Sequence, residues 1–430
     1  MKFQKISVLG LGYIGLPTAS TFATHGVEVV GVDVKPEIIK TLEAGGLHIH
    51  EPGLRILVSG AINSGMLRVG LDPELGDAFI IAVPTPFIGA DKKADMRAVI
   101  SAAEAIVPFL RRDNLVVLES TSPPRTTVDL VAPILEKSGL KAGVDFHLAY
   151  SPERVLPGQI LRELIENARV VGGVTPESAQ AGYDLYSTFV KGDIIKTNAT
   201  TAEMVKLMEN TYRDVNIAIA NEFSRLADNF GVDVWEAISL ANLHPRVEIL
   251  RPGPGVGGHC ISVDPWFLVE AAPEITPFIR TAREVNDAQP KFVLKLVERA
   301  LGSLVGKKIA ALGLAYKPDV DDLRESPAVE VVRLLQNAGA KVKTFEPFVP
   351  DAKLPNINAV STLEEALSNA DAVILLVSHS QFRELESSKI AQIMKGRVAI
   401  DAVNGWDADA WKDAGFALTR LGVGDFEQGR

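Results

Sequence analysis

Residues 6–9 form a short apolar run, and it breaks directly into Gly10-Leu11-Gly12-Tyr13-Ile14-Gly15 before a helical pattern begins. A strand that turns through spaced glycines into a helix has few homes. Gly10 permits the tight turn, Gly12 lets backbone approach a ligand, and Gly15 lets the helix pack close to the strand. The helix then starts with unpaired N–H groups and the positive end of its dipole, which suits a pyrophosphate. Asp33 closes the next apolar run. A carboxylate there accepts from ribose hydroxyls and repels a 2′-phosphate, so the loop predicts NAD over NADP, although Lys35 nearby tempers that preference. Tyr13 and Ile14 count with the three glycines and Asp33 as cofactor contacts. The competing reading is a structural glycine turn, and the strand context and Asp33 weigh against it.

The first 200 residues continue this alternation, with candidate strands at 6–9, 27–32, 78–83, 115–118 and 146–150. Such alternation predicts βαβ units and a parallel sheet. Residues 203–230 lack Gly and Pro and read as one long helix that stops at Gly231. Further helices are expected at 232–241 and 290–301, separated by a Pro/Gly-rich segment at 250–265. From about 307 the alternation resumes, with strands at 309–312, 341–345, 372–377 and 398–400. The predicted fold is α/β: two Rossmann-like, doubly wound parallel-sheet domains joined by a central helical domain. The boundaries are 1–199, 200–300 and 301–430. The polar tail 422–430 reads as frayed.

Composition narrows the function. Of 430 residues, 47% are apolar and 23% charged, and the net charge is −10. That balance argues against a general nucleic-acid or membrane-surface binder, which needs clustered Lys and Arg. No stretch approaches a membrane span, and the N-terminus lacks a secretory signal, so the expected location is cytoplasmic. Cys260 is the single cysteine. It is either a small buried hydrophobe or a reactive thiol, and no disulfide is available to it. It follows the glycine-rich segment 252–259 and stands where a helix is expected to begin, a setting that lowers a thiol pKa. The glycines there, Gly257 among them, are expected to let a bulky substrate approach. Asp264 follows four residues later; Lys206, Asn210 and Arg213 share one face of the long helix. No metal site is expected.

GLGYIGLP, AVPTP (82–86), ESTSPP (119–124), SPERVLPG (151–158), AEMVKLMENTYRDVNIA (202–218), GPGVGGHCISVDPWF (253–267) and GLAYKPDVDDLRESPA (313–328) occur in that order. Together they resemble the UDP-glucose/GDP-mannose dehydrogenase family across essentially the whole chain. The resemblance implies oxidation of a sugar-nucleotide primary alcohol to a carboxylate, with Cys260 carrying a thiohemiacetal and then a thioester. An aldehyde yields a second hydride only after a nucleophile adds to it, and a thiol serves that purpose. By the same resemblance Lys206 and Asn210 are catalytic and touch substrate. Asp264 handles protons or water, and Glu153 assists thioester hydrolysis. Arg154, Val155, Arg213, Gly257 and Lys317 are expected to contact substrate, and Arg324 to reach the cofactor. Thr121 is expected to order water and Thr85 to contact NAD, with a helix N-cap equally open for either.

His259 before the cysteine and Val263 before Asp264 depart from the GGSC segment and Lys-Asp pair of the simple-hexose members. GGHC followed by VDPWF, the RDVNIA helix and HPR at 244–246 resemble the UDP-N-acetylhexosamine members instead, which implies UDP-N-acetyl-D-mannosamine first, with UDP-N-acetylglucosamine the open alternative. His244 and Arg246 fall where family members reach a neighbouring subunit's substrate, so a homodimer with a shared site is expected, and the product's expected destination is a surface polysaccharide. A β-hydroxyacid dehydrogenase shares the first loop and the Lys-x-x-x-Asn helix, but needs neither Cys260 nor residues 307–430.

Overall fold

The computed structural model describes residues 1–89, 91–350 and 353–424. Contacts divide the chain into two compact units. One comprises Met1–Glu209 with Trp266–Ile275, the other Asn210–Pro265 with Thr276–Arg430.

In the first unit eight of the described strands form one sheet, in the order Ile194–Asn198, Arg169–Gly173, His147–Tyr150, Leu115–Leu118, Ala78–Ile81, Lys5–Leu9, Glu28–Val32, Leu67–Gly70, and Phe87–Ile88 pairs separately with Lys93–Ala94. All neighbours in the eight-stranded sheet are parallel except His147–Tyr150 against Arg169–Gly173. Alternate side chains of one strand serve opposite faces. Leu115 and Val117 join Leu16 and Phe22 in one core, and Val116 and Leu118 join Val99 and Ile106 in the other. Both faces are therefore covered, which is why these strands read as unbroken apolar runs rather than alternating ones. Strand order reverses at Lys5–Leu9 and Ala78–Ile81, so the loops after these two strands flank the crevice where open α/β sheets bind ligands.

The second unit repeats the scheme with Lys341–Phe345, Lys308–Leu312, Ala372–Leu375, Val398–Asp401 and Ala417–Arg420, all parallel. Ile309 and Ile374 face Val293 and Val331; Leu312 and Val373 face Phe382 and Trp411. Strand order reverses again, at Lys308–Leu312 and Ala372–Leu375.

The long helix spans Ala199–Phe230. Gly231 (φ +69°) ends it, and the Val232 N–H returns to the Ala227 carbonyl at 2.9 Å. The expected strands all appear, with ends shifted by a residue or two. Leu67–Gly70, Arg169–Gly173, Ile194–Asn198 and Ala417–Arg420 were not anticipated. Three of them lie at sheet edges, where half the strand meets water and the apolar signal fades. Arg169–Gly173 is buried, but its Gly172-Gly173 pair reads as a turn; a Cβ on Gly172 would stand 2.7 Å from Ala202 Cβ. The tail is fastened as far as it is described: the Val234 N–H donates to Gly422 O at 2.9 Å and the Gly424 N–H to Val232 O at 3.3 Å. Residues 425–430 lie outside the described residues. Among the described residues no helix is long and apolar enough to cross a membrane.

Candidate active-site residues

The first glycine loop is shaped as its pattern requires. Gly10 has φ +94°, and a Cβ on Gly15 would strike the Gly10 carbonyl. Nothing stands within 4 Å of where a Gly12 Cβ would be. Asp33 braces the loop by accepting from the Leu11 N–H at 3.0 Å, and its other oxygen accepts from the Lys35 N–H at 3.0 Å. His48 Nε2 bonds the Leu11 carbonyl at 2.8 Å. An open glycine before the helix Gly15–Thr24, with a half-buried carboxylate at its side, fits a dinucleotide. Thr85 donates its hydroxyl to the Thr121 carbonyl at 2.6 Å, tying together the loops after two neighbouring strands rather than capping a helix.

Glu153 belongs to a buried ionic cluster that sequence reasoning missed. Arg169 lies between two carboxylates, bonding Glu119 Oε1 at 3.2 Å and Glu153 Oε2. It stacks over the Tyr186 ring at 4.0 Å, while the Tyr186 hydroxyl donates to Glu119 at 2.6 Å. Burial drives the Glu119 pKa up, Arg169 pulls it down, and the charge of Glu153 adds to the rise; the result is about 7. Arg154 is half buried. Its guanidinium is occupied by Glu209 at 2.6 Å and by the Ala168 carbonyl. Val155 is half buried and packs against the first core.

On the long helix Lys206 and Asn210 are buried, at 7% and 9% exposure, whereas Arg213 is exposed. The buried polar stripe continues instead to Asp214, which Arg283 engages at 2.5 Å. Sequence spacing flagged the first two residues and missed this ion pair, whose partner lies 69 residues away. His244 and Arg246 are exposed, with Arg246 Nη2 3.4 Å from His244 Nε2.

In the second unit, regular helix begins at Asp264, later than expected. The carbonyl of Cys260 nevertheless accepts from the Val263 and Asp264 N–H groups at 2.9 and 2.8 Å, so a tight turn connects thiol and carboxylate. Asp264 Oδ2 accepts from Asn210 Nδ2 at 2.5 Å. Cys260 Sγ lies 2.9 Å from His259 Nδ1, and His259 Nε2 lies 3.9 Å from Asp322 Oδ2. The glycines before the cysteine serve protein packing. A Cβ on Gly257 would meet the Glu325 carbonyl at 2.5 Å, and one on Gly258 would meet the Tyr316 ring at 2.8 Å. The Gly258 N–H donates to the Arg324 carbonyl at 3.1 Å. These absent side chains thus seat the cysteine loop on the segment 316–327. Arg324 itself chelates Asp322 at 2.9 and 2.7 Å, and Lys317 Nζ lies 6.0 Å from the Tyr316 ring centre. Among the described residues no group of three or more His, Cys, Asp or Glu is arranged to hold a metal ion.

Three family models match consecutive parts of the chain. They are the NAD binding domain of the UDP-glucose/GDP-mannose dehydrogenase family over residues 4–190, its central domain over 200–288, and its UDP binding domain over 310–408. A UDP-N-acetyl-D-mannosamine dehydrogenase of Methanococcus maripaludis is 48% identical over 429 residues, covering 98% of this chain and 97% of the relative. An NDP-N-acetyl-D-galactosaminuronic acid dehydrogenase of Ralstonia solanacearum is 50% identical over 416 residues, covering 94% and 97%. The solved structure of a UDP-D-ManNAc dehydrogenase from Pyrococcus horikoshii superposes with a TM-score of 0.92 at 42% identity, over 98% of this chain and 100% of that one.

Proposed function

The chain belongs to the UDP-glucose/GDP-mannose dehydrogenase family and is an NAD-dependent oxidoreductase of UDP-sugars, and on that premise we propose that it oxidises UDP-N-acetyl-D-mannosamine at C6 to the uronate through a thioester on Cys260. The observation that carries the reading is the chain's single thiol, turned onto an imidazole at 2.9 Å and one tight turn from the buried Asn210–Asp264 pair. NAD held at the first glycine loop would supply the hydride acceptor, one molecule for each of the two oxidations. Lys206 stabilises the oxyanion that develops on the C6 oxygen. Cys260 adds to the aldehyde, and the thiohemiacetal then becomes the thioester. Asp264 and Asn210 hold the water that releases the acid, and Glu153, held by Arg169, receives its proton. Gly10, Gly12, Gly15 and Asp33 hold the cofactor, with Tyr13, Ile14, Thr85 and Thr121 around them. Lys317, Arg324, His244 and Arg246 serve the charged end of the sugar nucleotide.

The substrate rests on relatives. The Methanococcus protein favours the N-acetylmannosamine configuration, and the Ralstonia protein, at similar identity, favours a galacto-configured sugar as the second reading. An exposed apolar stripe on the long helix, Tyr212, Ile219, Phe223, Leu226 and Phe230, supports a homodimer built on that helix. A lone reduced thiol suits the cytoplasm, and a uronate suits surface-polysaccharide synthesis.

The test is NADH formed per sugar nucleotide consumed, with UDP-N-acetylmannosamine, UDP-N-acetylglucosamine and UDP-N-acetylgalactosamine each limiting. Two NADH from the first, little from the others, and loss of acid formation in Cys260→Ala are expected. One NADH with free aldehyde overturns the thioester route; two from another epimer overturn the substrate.

A further inference from the structure

His259 and Cys260 are sequence neighbours, and neighbouring side chains ordinarily diverge. Here the turn from Gly258 (φ +86°) to Asp264 folds them together, leaving Sγ 2.9 Å from Nδ1. The other ring nitrogen faces Asp322, with Nε2 3.9 Å from Oδ2, too long for a direct hydrogen bond but short enough for an ion pair. Burial works to raise Asp322, but the Arg324 guanidinium outweighs it and holds the carboxyl below its ordinary range, so a negative charge stands behind the ring at neutral pH. His259 retains 32% side-chain exposure, enough for water to reach the ring. Charged groups near the pair include Asp322, Arg324 on the far side of that carboxylate, and Asp264, whose N–H bonds the Cys260 carbonyl and whose own carboxylate is engaged by Asn210.

We propose that His259 is the proton acceptor of the Cys260 thiol, and that the pair, backed by Asp322, gives this chain a cofactor-independent esterase activity toward activated acyl esters. The inference rests on the reading of Cys260 as the nucleophile and adds a second activity to it. A thiolate is the nucleophilic form of cysteine, and an adjacent imidazole with a carboxylate behind it generates that form at neutral pH. With an aryl ester the thiol proton passes to Nδ1, the Sγ–C bond forms, and the ester C–O bond breaks. The aryloxide leaves and takes up the imidazolium proton. Water then gives a proton to Nδ1 and adds to the thioester. The Sγ–C bond breaks, the carboxylic acid leaves, and the thiol regains its proton. No electrons are gained or lost in this sequence, so NAD has no part in it.

The experiment uses the full chain without NAD. Iodoacetamide alkylation of Cys260, followed by intact mass from pH 5 to 10, reports the thiolate. Nitrophenolate release from p-nitrophenyl acetate reports acyl transfer. In the wild type, the alkylation midpoint is expected at least about one unit below the ordinary thiol value near 8.5, and nitrophenolate release continues beyond one equivalent. His259→Gln moves the midpoint up toward 8.5 and slows alkylation and ester cleavage at pH 7 at least about tenfold. Cys260→Ala abolishes the cleavage. A wild-type midpoint near 8.5, or a single-equivalent burst without turnover, overturns the proposal, and these need no variant to fold. So does an unchanged midpoint in a His259→Gln protein with the wild-type melting temperature. The alkylation profile still tests His259 should the NADH count defeat the thioester route, so the two readings fail separately.

Discussion

The chain builds the same turn twice and uses it differently. Gly10 and Gly313 follow the first strand of each sheet, with φ +94° and +90°, and each N–H donates to the strand beside it, to Val32 O at 2.7 Å and Phe345 O at 3.0 Å. An acid closes that second strand in both cases. Asp33 accepts one loop N–H, from Leu11; Glu346 accepts two, from Leu314 and Ala315, at 2.7 and 2.9 Å. The difference lies in what remains. At the first loop Gly12 is open, the helix begins at Gly15, and Asp33 is half buried. At the second, Ala315 and Glu346 are each 1% exposed, and the next helix waits until Pro327. Glu346 also takes a bond from His379 Nε2 at 3.1 Å. Since His379 Nδ1 accepts the Asp319 N–H at 2.9 Å, its proton resides on Nε2 and points at the carboxylate. The first loop keeps an open glycine beside a half-buried acid, whereas the second spends two donors and its acid on its own core.

The sharpest way to break the comparison is Gly12→Val. Nothing near Gly12 opposes a side chain, and its φ is outside the left-handed region, so the fold should survive. NAD affinity is expected to fall at least about a hundredfold, near 3 kcal/mol, by titration of cofactor fluorescence. Ala315→Val should do the reverse: it overpacks a filled site and costs about 1–3 kcal/mol of stability without touching NAD binding. Equal loss of NAD affinity in both would mean that the loops are not functionally distinct. Next in size are the acids. Glu346→Gln gives one of its former N–H partners a donor in place of an acceptor and should cost about 1–3 kcal/mol in a thermal melt. Asp33→Asn should cost less in the melt than Glu346→Gln, because its amide can turn its donor toward the exposed Lys35 N–H, and should weaken NAD about tenfold, relaxing discrimination against NADP.

How much of this was legible follows from where the information sits. The first loop was readable because its function needs three glycines and an acid within one βαβ unit. The strands 115–118 and 372–375 were readable because burial on both faces demands continuous apolar residues. The sequence also marked Lys206, Asn210, Asp264 and Cys260 by spacing and resemblance. It did not reveal that Gly257 and Gly258 are absences required by Tyr316 and Glu325, because those contacts bridge about sixty residues. Nor did it link Glu119 to Arg169 and Tyr186, 50 and 67 residues away. Glu346 escaped notice because one buried acid after a strand has no pattern of its own; only the superposed logic of Asp33 identifies it.

The smallest expected effect concerns proton linkage at Glu346. Burial opposes its charge, but the hydrogen bonds it accepts from His379 Nε2 and from the Leu314 and Phe348 N–H groups outweigh burial and hold the pKa below the ordinary glutamate value. A carboxyl depressed in the folded state contributes stability that is fully present above its unfolded pKa, about 4.3, and is lost as pH falls through the folded pKa. Melts of wild type between pH 6 and 3 should therefore decline more steeply than those of Glu346→Gln, with the two curves converging as the pH drops. Parallel curves for wild type and Glu346→Gln through this range would show that the second acid is not held as an ion by its loop, and the contrast between a half-buried and a core-facing acid would fail at its electrostatic root.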